Sequence, residues 1–365
     1  MAIDREEMVA WLRFSRLELA PRKAIALARH FNDPREIFKS NMRRLAEAGG
    51  LNEAAIAKIL NSDTSVAEQD LEKIEKARVR LVTIKDDEYP ANLKEIHDPP
   101  VVLYVRGEFK ESDKFAVAIV GSRQASMYGR TMAQRIASDL CSHGLVIVSG
   151  GARGIDSFAH KGALKTGGRT IAVLGSGVDV PYPRENKELF DQIAASGAVI
   201  SEYPMGARPE AWRFPPRNRI ISGLSKGVLV CEGSKDSGSL ITADCALDQN
   251  REVFALPGGV DKETSQAPHK LLKGGARLVE SAVDILEELG VDTEPGARSH
   301  LELPLNDLDP KQRALVELLD LQPKLVDNII RESKLPAPEV ISLLTILEMK
   351  GYVRRVAGNA YVRAI

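Results

Sequence analysis

The fold class this sequence predicts for residues 81–289 is α/β: a doubly wound, mostly parallel sheet. A small all-α module precedes it, and a three-helix-plus-hairpin module follows it. Three observations carry the prediction. From Phe115 onward, short Val/Ile/Ala runs alternate with helix-length segments of mixed polarity, and strand alternating with helix is the signature of βαβ units. Each run is continuously apolar, as suits a parallel strand covered on both faces. Before and after this stretch, apolar residues recur at helical spacing instead.

Size and composition agree. A chain of 365 residues is too long for one ordinary core, so two or three domains are expected. Hydrophobic content of 44% and charged content of 28% are those of a soluble globular protein. No apolar run approaches membrane-spanning length, and the N-terminus MAIDREEMVAWLRF carries no secretory pattern. A cytoplasmic protein with no membrane partner is expected. Cys141, Cys231 and Cys245 form no CxxC pair, which argues for buried thiols rather than a disulfide framework or a metal site. The formal net charge of −1 gives no sign of a nucleic-acid partner, so any such binding needs a local basic patch.

In chain order, residues 1–80 read as the helical module, with helical runs around Trp11–Leu17, Ala24–Phe31, Ile37–Leu45 and Ala54–Leu60. Asp33-Pro34 and Gly49-Gly50 punctuate them as turns. A further helix at about 64–80 leads through a Pro-rich connector to a strand at Val101–Val105. The expected sheet strands are Ala116–Val120, Leu145–Val148, Thr170–Leu174, Ala198–Ile200, Gly227–Val230 and Val253–Leu256. Residues 290–308 read as a linker. Residues 309–365 give helices at 311–320, 323–333 and 337–350, then a hairpin around Ala357-Gly358-Asn359, which is the winged-helix pattern.

The chemistry is expected outside the carboxyl ends of the parallel strands. The first strand opens into Gly121-Ser122-Arg123, where glycine admits a close backbone approach, free N–H groups can hold an anion, and Arg123 adds a fixed charge. The second opens into Ser149-Gly150-Gly151-Ala152-Arg153-Gly154. Its spacing fails the dinucleotide fingerprint but suits a phosphate nest. Asp156 and His160, one helical turn apart, raise acid–base chemistry; the favoured reading is a helix-capping Asp and a packing His.

Lys187 and Phe190 are spaced to share a helix face. Either they pair a backbone-binding charge with a base-stacking ring, or they are a solvent lysine and a core phenylalanine. In Phe214-Pro215-Pro216-Arg217-Asn218-Arg219, two arginines flank an asparagine at a helix start, where the dipole favours anions. Ser237-Gly238-Ser239 is another small-residue helix start after a strand. Four phosphate-friendly turns on one sheet edge exceed what one nucleotide requires, and point to a polymer.

The ordered motifs IVGSR at 119–123, SGGARGID at 149–156, PRNRIISGL at 216–224, SGSLITA at 237–243 and PG at 257–258 closely resemble the DprA/Smf family of DNA-processing proteins. The resemblance covers about residues 80–288. It implies an extended Rossmann-like fold that binds single-stranded DNA as a homodimer and hands incoming DNA to the RecA recombinase in natural transformation, with no catalytic role and no cofactor. It also implies that Arg123, Lys187, Arg217 and Arg219 line the DNA groove with Gly121, Ser122, Phe190, Asn218 and Ser239. The glycine-rich turn of Ser149, Gly150, Gly151 and Gly154 would approach phosphates. Arg217 and Arg219 as structural ion pairs remain the alternative.

The chain departs from the family pattern at Ala267-Pro268-His269, where a glycine is usual, and at Asn250, where a helix-ending glycine is common. The N-terminal module resembles a SAM-like or helix-hairpin-helix cap, but Leu19-Ala20-Pro21-Arg22-Lys23 lacks the hairpin glycine. The last helix of the winged helix presents Glu339, Ser342, Thr345 and Glu348, with Lys350 only at its end. Acidic residues there oppose phosphates, so a protein contact or accessory role is expected. The rival function class is a phosphoribohydrolase-like nucleotide-processing enzyme, whose PGGxGTxxE signature is missing from Pro257-Gly258-Gly259-Val260-Asp261.

Overall fold

The structure is a computed structural model that describes residues 4–291, 308–320, 323–350, 352–356 and 358–363. Most of the expected linker (292–307) and Ala357 of the hairpin turn lie outside the described residues.

Six helices open the chain: α1 (Arg5–Ser15), α2 (Pro21–His30), α3 (Pro34–Lys39), α4 (Met42–Gly49), α5 (Glu53–Leu60) and α6 (Thr64–Ala77). Side chains of Asp4, Asp33, Asn41, Asn52 and Asp63 accept backbone N–H groups at the starts of α1, α3, α4, α5 and α6. Such caps satisfy donors that a helix start leaves unpaired. Trp11, Leu12, Leu27, Phe31, Ile37 and Ile59 fill the interior. Leu81, Val101, Val102, Tyr104, Val178 and Met205 from the sheet domain join the same cluster. The helical module is therefore fused to one end of the sheet through a shared core.

The next strands are β1 (Arg80–Thr83), β2 (Val102–Gly107) after the short helix α7 (Ala91–Lys94), and β3 (Ala116–Val120). Then follow α8 (Met127–Ser142), β4 (Val146–Ser149), α9 (Ile155–Lys165), β5 (Thr170–Val173), α10 (Lys187–Ser196) and β6 (Ala198–Ser201). The second half contains α11 (Phe214–Leu224), β7 (Gly227–Val230), α12 (Gly238–Asp248), β8 (Glu252–Ala255), α13 (Gln266–Lys273), β9 (Arg277–Leu278) and α14 (Ala282–Glu288). Among the described residues, these strands form a nine-stranded sheet in the order β1-β2-β6-β5-β4-β3-β7-β8-β9. Pairing is parallel from β6 to β9, while β1–β2 and β2–β6 are antiparallel.

From β3 the chain winds one way to β4, β5 and β6, then returns to β7 on its other side. The switch point, and with it the crevice where ligands sit in such sheets, lies at the carboxyl ends of β3 and β7.

The expected strands all form, within one or two residues of their predicted ends. Sequence reading missed two strands of this sheet: β1, where the end of a helix and a connector were expected, and β9, two residues long and exposed on both. Ala267 does not disturb its turn: its N–H donates to the Gly233 carbonyl at 2.9 Å and α13 starts beside it. Asn250 adopts φ 55°, the left-handed conformation that asparagine tolerates.

The C-terminal domain comprises α15 (Pro310–Glu317), β10 (Lys324–Leu325), α16 (Val326–Ser333), α17 (Ala337–Met349), β11 (Val353–Val356) and β12 (Ala360–Arg363). Its three strands form a separate antiparallel sheet in the order β10-β12-β11. This is a winged helix. On α17, Glu339 is half-buried and paired with Lys311 at 2.5 Å, while Ile341 and Ile346 are exposed. The last helix thus presents a mixed apolar and polar face rather than a basic one.

Candidate nucleic-acid interface

A cleft of about 750 Å³ opens at the switch point. The turn after β3, the start of α11 and the start of α12 form its walls. Of the residues singled out from sequence, Gly121, Ser122, Arg123, Arg217, Asn218 and Ser239 line it together.

The turn after β3 is held from below. Ser122 N–H donates to the Glu232 carbonyl at 2.8 Å, and the buried Glu232 carboxylate accepts from Ser126 N–H at 2.8 Å and Ser126 Oγ–H at 2.5 Å. Ser126 in turn caps α8. Gly154 completes the seat: at φ 73°, a Cβ there would lie 2.2 Å from the Ser122 carbonyl oxygen. Glycine is what lets the two turns touch. Arg123 is left exposed above them, with its guanidinium carbon 5.4 Å from the centre of the Phe214 ring.

Arg217 is the buried charge of the site, 5% exposed. Its guanidinium donates to the Gly150 carbonyl at 2.8 Å and also to the Val173 carbonyl. Burial, and to a lesser degree Arg123, pushes its pKa down to about 10 against the pull of Asp156. It stays protonated at neutral pH. Burial raises the Asp156 carboxyl above the usual range, and Arg217 opposes that rise. Asp156 does not cap α9, where Gly154 occupies the cap position; its Oδ2 accepts the Ala152 N–H at 3.3 Å. His160 is the packing residue expected. Thr170 Oγ–H donates to the Ile147 carbonyl, so that oxygen accepts from His160 Nδ1–H at 2.7 Å. Burial drives the imidazole pKa down to about 3.

Several expected members fall elsewhere. Ser149 is fully buried and donates to the Ile119 carbonyl at 2.7 Å. Gly150 and Gly151 are also buried, and the space beside them is filled by Arg217 and by the ring of Phe190. Gly151 needs its φ of 67°, and a Cβ there would lie 2.6 Å from Phe190. These glycines admit the protein's own side chains. Phe190 is 2% exposed, so its ring belongs to the core, while Lys187 stands exposed at the start of α10 and outside the cleft lining. Both lie on one helix, but only the lysine reaches solvent. Arg219 is buried between Glu202 at 2.5 Å and Asp98 at 3.6 Å, which resolves it as a structural ion pair.

Two aromatic residues that sequence reading passed over reach the cleft where Phe190 does not. Tyr182 is 40% exposed and Phe214 is half-buried; both line the cleft, with ring centres 5.7 Å apart. Phe214 opens the segment Phe214-Pro215-Pro216-Arg217-Asn218-Arg219 already singled out, and Tyr182 lies five residues before Lys187. No sequence spacing connects residues in different turns, so their meeting needed the fold. An exposed cation beside an accessible aromatic ring is the arrangement with which single-strand binders attract a backbone phosphate and stack a base.

The family described as DNA recombination-mediator protein A matches residues 80–290, and its winged-helix domain matches residues 300–359. The chain belongs to the DprA family. It is 34% identical to Protein Smf of Synechocystis sp., a likeness covering 98% of this chain and 99% of that protein. The X-ray structure of DNA processing protein A from Streptococcus pneumoniae superposes with TM-score 0.67 at 36% identity, covering 79% of this chain and 99% of that one. A DprA structure from Helicobacter pylori, described as showing a unique single-stranded DNA binding mode, superposes with TM-score 0.53 at 30% identity over 58% of this chain and 97% of that one. Among the described residues, no helix is long and apolar enough to cross a membrane.

Proposed function

We propose that this DprA-family chain binds single-stranded DNA in the cleft at the β3/β7 switch point. The observation that carries the reading is the exposed Arg123 over the ring of Phe214, which pairs with Tyr182, with the buried Arg217 also near that ring in the cleft lining. Charge for the backbone and rings for the bases, without a base-edge reading groove, suit sequence-tolerant binding of an unpaired strand. The single-stranded DNA binding named for the H. pylori relative supports the same ligand.

The protein is read as a non-catalytic cytoplasmic mediator. It works as a homodimer and delivers the bound strand to RecA, as family membership suggests. Sedimentation that finds only monomer at micromolar protein removes the dimer. RecA nucleation unchanged by a monomeric variant removes the need for a dimer in delivery.

Competition tests the cleft as a polymer site. A labelled oligonucleotide that resists a large excess of free mononucleotides supports the proposal. Displacement by mononucleotides moves the function to a small-molecule enzyme on the same sheet.

A further inference from the structure

A second basic surface lies outside the cleft, on the N-terminal module. Helix α2 reads PRKAIALARH and contains no acidic residue. Arg22, Ala26 and Arg29 fall four and three residues apart, which places them along one face. Together with Ile25 and His97 they line a groove of about 450 Å³. Arg22 and Arg29 are exposed, and among the described residues neither has a carboxylate partner. Arginines of this module facing other directions are neutralised instead: Arg16 by Asp70, Arg35 by Asp33 and Arg44 by Glu36.

Residues that neighbour each other in the chain link this groove to the switch-point cleft through a third cavity. Ala211, Phe214 and Pro215 line the cleft, and their chain neighbours Trp212 and Pro216 line a smaller cavity of about 260 Å³ at the junction of the two domains. The lining of that cavity also includes Pro21 and Ala24 of α2, the chain neighbours of Arg22 and Ile25. The carboxylates in the junction are already paired, Glu202 with Arg219 at 2.5 Å and Glu18 with Arg213 at 2.9 Å. Trp212 stands there 52% exposed, with Arg213 stacked near its ring at 4.7 Å.

We propose that α2 extends the DNA track: a single strand leaving the cleft passes over Trp212 and lays its backbone along Arg22 and Arg29. The inference rests on the reading of the cleft as a single-stranded DNA site. It assigns the N-terminal module a share of the same ligand through an uncompensated basic stripe, not through a helix-hairpin-helix motif.

Oligonucleotide length separates the two sites. A short oligonucleotide that occupies the cleft alone is expected to bind an R22Q/R29Q variant of the full chain as it binds wild type. A longer one is expected to bind that variant several-fold more weakly, with a log–log salt slope shallower by about 1.4, two phosphate contacts at about 0.7 each. Trp11 is fully buried and Trp212 is the other of the two tryptophans, so quenching of intrinsic fluorescence reports contact at the junction. Quenching is expected with the long oligonucleotide and not with the short one.

Equal affinity and slope for the long oligonucleotide in variant and wild type would overturn the extension while leaving the cleft intact. Failure of both lengths to bind wild type would remove the reading of the cleft, and the extension with it.

Discussion

Arg217 and Arg219 stand two residues apart at the start of one helix, yet the fold gives them different work. Arg219 is enclosed by Glu202 and Asp98, whereas Arg217 forms the floor of the cleft. Removing Arg219 leaves the Glu202 carboxyl buried without its partner, a loss of about 3–5 kcal/mol. Arg219→Ala is therefore expected to lower the unfolding midpoint sharply, while the salt dependence of DNA binding in the surviving folded protein stays as in wild type. A shallower salt slope would make Arg219 a DNA contact after all. The rings give the complementary case. Phe214→Ala or Tyr182→Ala is expected to weaken oligonucleotide binding by about 1–3 kcal/mol, the worth of one stacked base. Unchanged affinity in both would show that no base stacks there. None of this division was legible in the sequence, because the partners of Arg217, Arg219 and Phe190 come from distant segments. Spacing along one helix reports which residues share a side, not which side faces water.

At the scale of elements, the site is the contact of two turns. The Ser122 carbonyl and Gly154 approach so closely that any side chain at 154 forces them apart. Gly154→Ala adds that clash to a left-handed conformation, a strain of at least about 1–3 kcal/mol. The expected result is a lower thermal midpoint with weakened oligonucleotide binding; native affinity and midpoint would mean the turns need not touch. Behind them, His160 holds α9 to β5 as a neutral imidazole. Its folded pKa of about 3 lies below the ordinary 6.5, so between those values the unfolded chain binds the extra proton. Its contribution to stability is complete above pH 6.5 and is lost as pH falls through that window. Its NMR signals are expected to show no titration between pH 7 and 5, and a midpoint near 6.5 would contradict the burial. Apart from β1, read as the end of a helix and a connector, most of the elements were legible, since strands buried on both faces write continuous apolar runs. The two-residue β9, exposed on both residues, writes none.

Across the whole molecule, the order of strands fixes where the ligand goes. The chain reverses direction at β3/β7, and the turns that the sequence marked as phosphate-friendly gather on the same edge. The motifs and the switch point locate the cleft independently. The sequence also showed the flanking modules, but not that the N-terminal one shares its core with the sheet or carries, on one helix face, two exposed arginines unpaired among the described residues. Those follow from packing between residues far apart in the chain. The net charge of −1 gave no hint of DNA, because cations inside and beside the cleft are offset by acids elsewhere on the surface.

The central claim is that Arg123 contacts the backbone of a single strand in this cleft, and a salt titration of oligonucleotide binding tests it most directly. Wild type is expected to show log affinity falling linearly with log salt, and Arg123→Ala a weaker affinity with a slope shallower by about 0.7, one phosphate contact. Identical slopes and affinities in the two proteins would contradict the claim and place the DNA elsewhere on the molecule.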